Sequence, residues 1–221
     1  MLDIVGAAPF AADSPEQIFD VLADALVERG YAVVNDFFTP EVTAALRAEF
    51  DHPDCHFKTA GIGRQEEHAI ALDIRGDRIC WLEGGSAAAA TFLAAMEQLR
   101  LALNRRLFMG LFDYESHLAY YPVGTFYKKH VDAFKGDSNR VLSTVLYLNP
   151  SWSAGDGGEL VLYDEATDEV IEQLSPKAGR LVVFLSERFP HQVLPAKRKR
   201  YSVAGWYRIN SNTMDRVDPP T

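Results

Sequence analysis

YESHLAYYPVGTFYKKHVDAFKGDSNRVLSTVLYLNP, residues 114–150, sets short apolar and aromatic runs between Pro, Gly, Asn and Asp. The runs YESHLAYYP, FYKKHVDAF and RVLSTVLYLNP have strand length and strand composition, and no helical period separates them. GELVLYD (158–164), GRLVVFLS (179–186) and RYSVAGWYRI (200–209) continue the pattern. Strands at this density predict an antiparallel sandwich or barrel.

Upstream the texture is helical, then mixed. SPEQIFDVLADALVERG offers Ser-Pro at a helix start, Ile18, Leu22, Ala25 and Leu26 at helical spacing, and Gly30 as a stop. A strand-like YAVVNDFF follows, then a cap at Thr39-Pro40-Glu41 opens a helix through about residue 50. AAATFLAAMEQLRLALNRRLF (88–108) reads as a longer helix, with Gly110 after it. Between these helices, FKTAGIGRQEEHAIALDIRGDRICWLEGG is β-like and glycine-punctuated, with a polar middle that suits an extended loop or hairpin.

A chain of 221 residues, 48% hydrophobic and 11% aromatic, suits one globular domain, and no apolar run is long enough to span a bilayer. The N-terminal stretch carries acids where a secretory signal carries lysines, so it reads as part of the mature protein. Cys55 and Cys80 lie in unrelated sequence contexts without a zinc pattern; a reduced, cytoplasmic setting is the simpler reading, with a disulfide left open. The net charge of −9 argues against a general nucleic-acid partner, which needs a broad cationic surface. A membrane partner is likewise not expected.

On a strand, His130 and Asp132 in FYKKHVDAF project to one face, with Cα atoms about 7 Å apart. An imidazole and a carboxylate suit a divalent first-row metal, and an open site of two histidines and one carboxylate is associated with non-haem Fe(II). HxD alone is a common chance pattern, and a third ligand is required. Of the six histidines, His191 stands out because it follows an apolar strand across the short turn ERFP. Arg200 then heads a strand whose alternation puts Arg200, Ser202, Ala204 and Trp206 on one face. If that face lines the barrel, its buried guanidinium needs an anion, and a dicarboxylate chelating the metal at its other end satisfies both groups. The bland alternative is that KRKR (197–200) is a solvated basic turn, with Arg198 sharing the parity of Arg200.

HxD, a distal histidine and an arginine nine residues later resemble the 2-oxoglutarate and Fe(II)-dependent oxygenases. YYPVGTFYKKHVD, VLYLNPSW, GGELVLY, FPHQVLPA and RYSVAGWY, with IRGDRICWLEG upstream, are similar more narrowly to bacterial prolyl hydroxylases related to the hypoxia-inducible-factor enzymes. The resemblance covers most of residues 70–210. It implies a mainly β, α+β domain over 1–221: a double-stranded β-helix (jelly roll) core in 111–210, with helical support and a substrate loop in 1–110. It makes His130, Asp132 and His191 the catalytic iron ligands and Arg200 the partner of the distal 2-oxoglutarate carboxylate, shared with Tyr147. Tyr121 matches a tyrosine that hydrogen-bonds the co-substrate. Trp206, Tyr127 and Arg140 match positions near the prolyl substrate, and Arg75 and Asp77 match the substrate-covering loop, although a simple surface ion pair explains those two equally well. Tyr127 raises a conflict of parity, since a regular strand puts it opposite His130; a start before the strand or a bulge removes it. Ala204 departs from relatives that carry threonine beside the co-substrate.

The implied reaction is oxidative decarboxylation of 2-oxoglutarate with O2, coupled to hydroxylation at a prolyl C4 of a protein, with ascorbate supporting activity. Elongation factor Tu is one plausible target and oxygen sensing an implied role. The segment 61–80 is the candidate clamp for the polypeptide. Alternatives are a 2-oxoglutarate oxygenase of a small molecule or free amino acid, and a non-catalytic jelly-roll binding module. Asp132 disfavours a halogenase, which vacates that ligand position.

Overall fold

The computed structural model describes residues 9–12, 14–60, 74–133 and 139–210. Helix α1 (Pro15–Arg29) opens on Pro15, whose missing N–H costs nothing in a first turn, and closes on Gly30 at φ +84°, where the left-handed backbone favours glycine. Thr39 caps α2 (Pro40–Ala48) by accepting from the Val42 N–H, and Ser86 caps α3 (Ala87–Leu107) by accepting from the Ala89 N–H.

Eleven strands are described: β1 (Tyr31–Val34), β2 (Lys58–Thr59), β3 (Arg78–Trp81), β4 (Leu111–Tyr121), β5 (Tyr127–His130), β6 (Arg140–Tyr147), β7 (Leu160–Tyr163), β8 (Val170–Leu174), β9 (Leu181–Leu185), β10 (His191–Val193) and β11 (Arg200–Ile209). They form a major antiparallel sheet in the order β1-β9-β6-β11-β4-β3-β2 and a minor one in the order β5-β10-β7-β8, as a jelly roll requires. Three strands that precede residue 110 therefore belong to the major sheet. The expected strand YAVVNDFF is shorter, because Asp36 turns the chain at φ +51° and sends Phe37 and Phe38 into the core beside the helices. Strand β8 was not anticipated: its alternating VIEQL leaves Val170 exposed and gives a weak apolar signal.

Strand alternation builds a core on each face of the major sheet. On the outer face, Leu118, Leu142, Leu146, Val183, Val203 and Tyr207 pack under the helices with Leu22, Phe92, Met96 and Leu99. Position 205 faces this side and is glycine, because a side chain there would collide with the Tyr114 phenol, which bonds Thr144 at 2.8 Å. On the inner face, Tyr121, Tyr147, Val182 and Phe184 meet Leu160, Leu162, Leu174 and Val193 of the minor sheet.

Cys55 and Cys80 are not unrelated. Pairing of β2 with β3 folds the chain back on itself, and the two are joined as a disulfide with Cα atoms 5.9 Å apart. No helix among the described residues is long and apolar enough to cross a membrane.

Candidate functional site

His130, Asp132 and His191 converge where the minor sheet faces the inner side of the major one, with one potential ligand atom of each lying within 4.8 Å of the others. His130 ends β5 and pairs directly with His191 at the start of β10. Asp132 is not on the strand: β5 stops at His130, and a bend brings the carboxylate back. The three residues meet as expected, but Asp132 does so from the bend and not from the strand face.

The donor set is prepared for a cation. A carbonyl only accepts, so Nδ1 of His130 donates to the Lys128 carbonyl (2.9 Å) and Nδ1 of His191 to that of Phe189 (3.0 Å). Both Nε2 atoms then carry lone pairs and face Asp132 Oδ1 at 3.5 and 3.7 Å. Oδ2 is engaged elsewhere, accepting from the Ser143 hydroxyl (2.6 Å) and the Trp206 indole N–H (2.9 Å). Ser143 also bonds Ser186 at 2.9 Å. Burial brings the His191 pKa down to about 4, so it is neutral as a ligand must be. Burial alone would raise Asp132, but His191, His130 and the Ser143 hydroxyl hold it well below the usual carboxylate range.

Along the same inner face, Arg200 pairs with Tyr121 and is 2% exposed. Its Nε donates to the Gly158 carbonyl (3.0 Å) and Nη1 to the Ser202 hydroxyl (3.2 Å). Gly158 sits at φ +72°, where an added Cβ would press on Ala196 and the Arg200 stem. The rings of Tyr121 and Tyr147 lie 4.8 and 5.1 Å from the guanidinium carbon. No acid among the described residues pairs with this buried cation, and the buried Tyr147 hydroxyl has no partner. A buried charge and an orphaned hydroxyl side by side are what a carboxylate ligand would satisfy. Arg198 is instead a surface residue held by Asp156 and the Ser151 carbonyl, which removes the parity ambiguity.

The sequence model of the 2OG-Fe(II) oxygenase superfamily matches residues 116–208. Egl nine homolog 1 of Homo sapiens is 32% identical over 192 residues, which is 81% of this chain and 44% of that protein. The crystal structure of a Pseudomonas putida prolyl-4-hydroxylase superposes with a TM-score of 0.78 at 40% identity, over 87% of this chain and 100% of the other. The chain belongs to the prolyl hydroxylase family. A prolyl hydroxylase from Trichoplax adhaerens, in complex with a hypoxia inducible factor oxygen degradation domain peptide fragment, superposes at TM-score 0.75 and 26% identity, over 88% of this chain and 90% of that one. The chain spans about half the length of the first curated relatives, 44% to 55% of each. The superfamily's metal is Fe(II) and its co-substrate 2-oxoglutarate, and the two sets of donors fit both.

The remaining expected residues of this prolyl hydroxylase lie in contact with the three ligands or are joined to them through one another. The Tyr127 ring stacks on His130 at 3.6 Å and 13°. The register of β5 against β10 shifts between the pairs His130–His191 and Tyr127–Val193, and that bulge puts both aromatic residues on one face. Arg75 and Asp77 are not a surface pair: Asp77 is 1% exposed and takes two bonds from Arg75, at 2.7 and 2.6 Å. The pair straps residues 74–77 against β5, with Arg75 over the Tyr127 ring at 4.4 Å and backbone bonds from Gly76 to Phe126 and from Lys128 to Ile74. Residues 61–73, most of the expected clamp, lie outside the described residues. Arg140 lies over the Trp206 ring at 3.7 Å and bonds Glu115 at 2.8 Å. Sequence reasoning missed Ser143, Ser186 and His117; for Ser143 and His117 the available signal was a polar residue at an inward-facing strand position.

Proposed function

We propose that the chain is an Fe(II)- and 2-oxoglutarate-dependent prolyl 4-hydroxylase acting on a polypeptide. The observation that carries this reading is the juxtaposition, on one inner sheet face, of three converging free ligand atoms with a buried guanidinium that has no acid partner among the described residues. His130, Asp132 and His191 would hold the iron; Arg200 and Tyr147 would hold the distal carboxylate of 2-oxoglutarate, with Tyr121 beside them. When bound, the iron and co-substrate supply the oxidising chemistry that places a hydroxyl on a prolyl ring carbon. The chain's own part is positional. Lys128 and Phe189 carbonyls fix the imidazole tautomers, Ser143 and Trp206 fix which carboxylate oxygen is free, and the aromatic walls limit water at the reacting centre.

Trp206, Tyr127 and Arg140, with the Arg75–Asp77 strap, form the face we assign to the target proline and its neighbours. Elongation factor Tu is the proposed partner, a cytoplasmic location supplies both it and 2-oxoglutarate, and oxygen dependence of the rate would make the enzyme a sensor. Reducing systems there would open the Cys55–Cys80 bond. We take residues 1–221 as one domain. The test incubates the protein with Fe(II), 2-oxoglutarate and ascorbate in air, with or without elongation factor Tu and proline-containing peptides cut from it. Expected are peptide-dependent succinate and hydroxyproline, both abolished by Asp132→Ala. Turnover of 2-oxoglutarate with a free amino acid alone, or none with iron bound, would overturn the reading.

A further inference from the structure

His117 is a buried polar group that neither the proposed metal site nor the co-substrate anchor uses. It lies on the inner face of β4, one cross-strand pair from Ala119–Ser202 and one from Glu115–Trp206. Its own row runs from Trp81 through His117 and Ala204 to Val145, so it carries the row's hydrogen-bonding imidazole between apolar neighbours and the half-exposed Trp81 indole. The ring is wedged between Trp81 (5.2 Å, edge-on) and Trp206 (5.4 Å). It is 4% exposed, and Nδ1 is buried without a partner among the described residues. Burial lowers its pKa to about 4, so the ring presents one N–H and one lone pair at neutral pH. An orphaned polar atom in such a wall is a cost that leucine or methionine would avoid, so the residue type asks for a ligand.

Asp77, Arg75, Arg140 and Asp132 are charges that act on the ring. Three of the four, Asp77, Arg75 and Arg140, and one flanking tryptophan, Trp206, belong to the proposed peptide face. A neutral imidazole matches a neutral peptide group better than an ionised side chain. The amide nitrogen of a proline has no hydrogen, so the target residue itself offers only its carbonyl, and an imidazole N–H can donate to that carbonyl or to a neighbouring one. We propose that His117 is a specificity-determining residue that donates a hydrogen bond to a backbone carbonyl of the polypeptide beside the target proline. This rests on the peptidyl reading above.

The experiment uses the protein reconstituted with iron and 2-oxoglutarate, with elongation factor Tu and its proline-containing peptides as probes. His117→Leu removes the donor, and His117→Asn returns one near the position of Nδ1. Expected is a five- to tenfold rise, roughly one lost neutral hydrogen bond, in the peptide KM of His117→Leu, largely reversed in His117→Asn. The KM for 2-oxoglutarate and the metal affinity should be unchanged. An unchanged peptide KM, a shift in the 2-oxoglutarate KM instead, or equal losses in both variants matched by lower melting temperatures would each overturn the assignment. If His117→Leu does not fold, His117→Met asks the same question. If the wild type hydroxylates no proline peptide, the peptidyl reading falls by itself. An unchanged KM for whichever substrate is turned over would then overturn the role of His117 separately.

Discussion

Ser143→Ala tests the idea that this chain decides which oxygen of Asp132 remains free. Oδ2 accepts two hydrogen bonds, from Ser143 at 2.6 Å and Trp206 at 2.9 Å, while Oδ1 faces the two imidazoles. Removing the hydroxyl forfeits a bond to an ionised group, worth about 1.5–3 kcal/mol, and outer contacts to metal ligands are worth roughly 10- to 100-fold in affinity. Because Trp206 still holds Oδ2, the expected loss is in the lower half of that range, roughly 10- to 30-fold. The assay is anaerobic calorimetry with Fe(II) or Mn(II) on protein without 2-oxoglutarate, which separates metal affinity from turnover. Trp206→Phe removes the other donor and should cost a similar factor. Ser186→Ala breaks the hydroxyl pair at 2.9 Å but leaves the Asp132 bond, and should cost less than about threefold. The reasoning is refuted if folded Ser143→Ala binds metal within about twofold of wild type, or if Ser186→Ala is as damaging as Ser143→Ala.

Tyr147→Phe should act in opposite directions on stability and binding. Its hydroxyl is buried without a hydrogen-bond partner among the described residues, so removing it should raise the stability of the ligand-free protein by about 1 kcal/mol while raising the 2-oxoglutarate KM roughly tenfold; thermal melts and kinetics check the two signs. His117 and His191 should together make the metal-free protein acid-sensitive. Each has a folded pKa of about 4 against 6.5, so the unfolded chain binds more protons between those values. Stability is retained above pH 6.5 and lost as the pH falls toward 4, by up to about 3 kcal/mol for each histidine. Urea melts across that window read the slope, which His117→Leu should reduce; a flat profile would contradict the burial argument.

What the sequence could and could not disclose follows from which physical constraint is local. Alternation along RYSVAGWYRI is local, and it correctly put Arg200 and Trp206 on one face, because a long central strand held on both sides has no freedom to slip. The short β5 at the sheet edge has that freedom. There a bulge reunites Tyr127 with His130, and the chain leaves the strand before Asp132, so strict parity misdescribed both residues. Arg75 and Asp77 looked like exposed loop charges because nothing in IRGDR records that residues 74–77 lie against β5; only that non-local contact makes a buried ion pair of them. The cysteines fail in the same way, joined through the β2–β3 pairing. Ser143 and His117 mark the opposite case. Each is polar at a position where neighbours of the same parity are apolar or aromatic, Val145 and Tyr147 for one, Ala119 and Tyr121 for the other. A serine that breaks an inward apolar row is stabilising only with a buried partner, and Asp132 is that partner. A histidine that breaks such a row and has no partner for Nδ1 among the described residues is the kind of residue whose partner a bound polypeptide would supply, as proposed for His117.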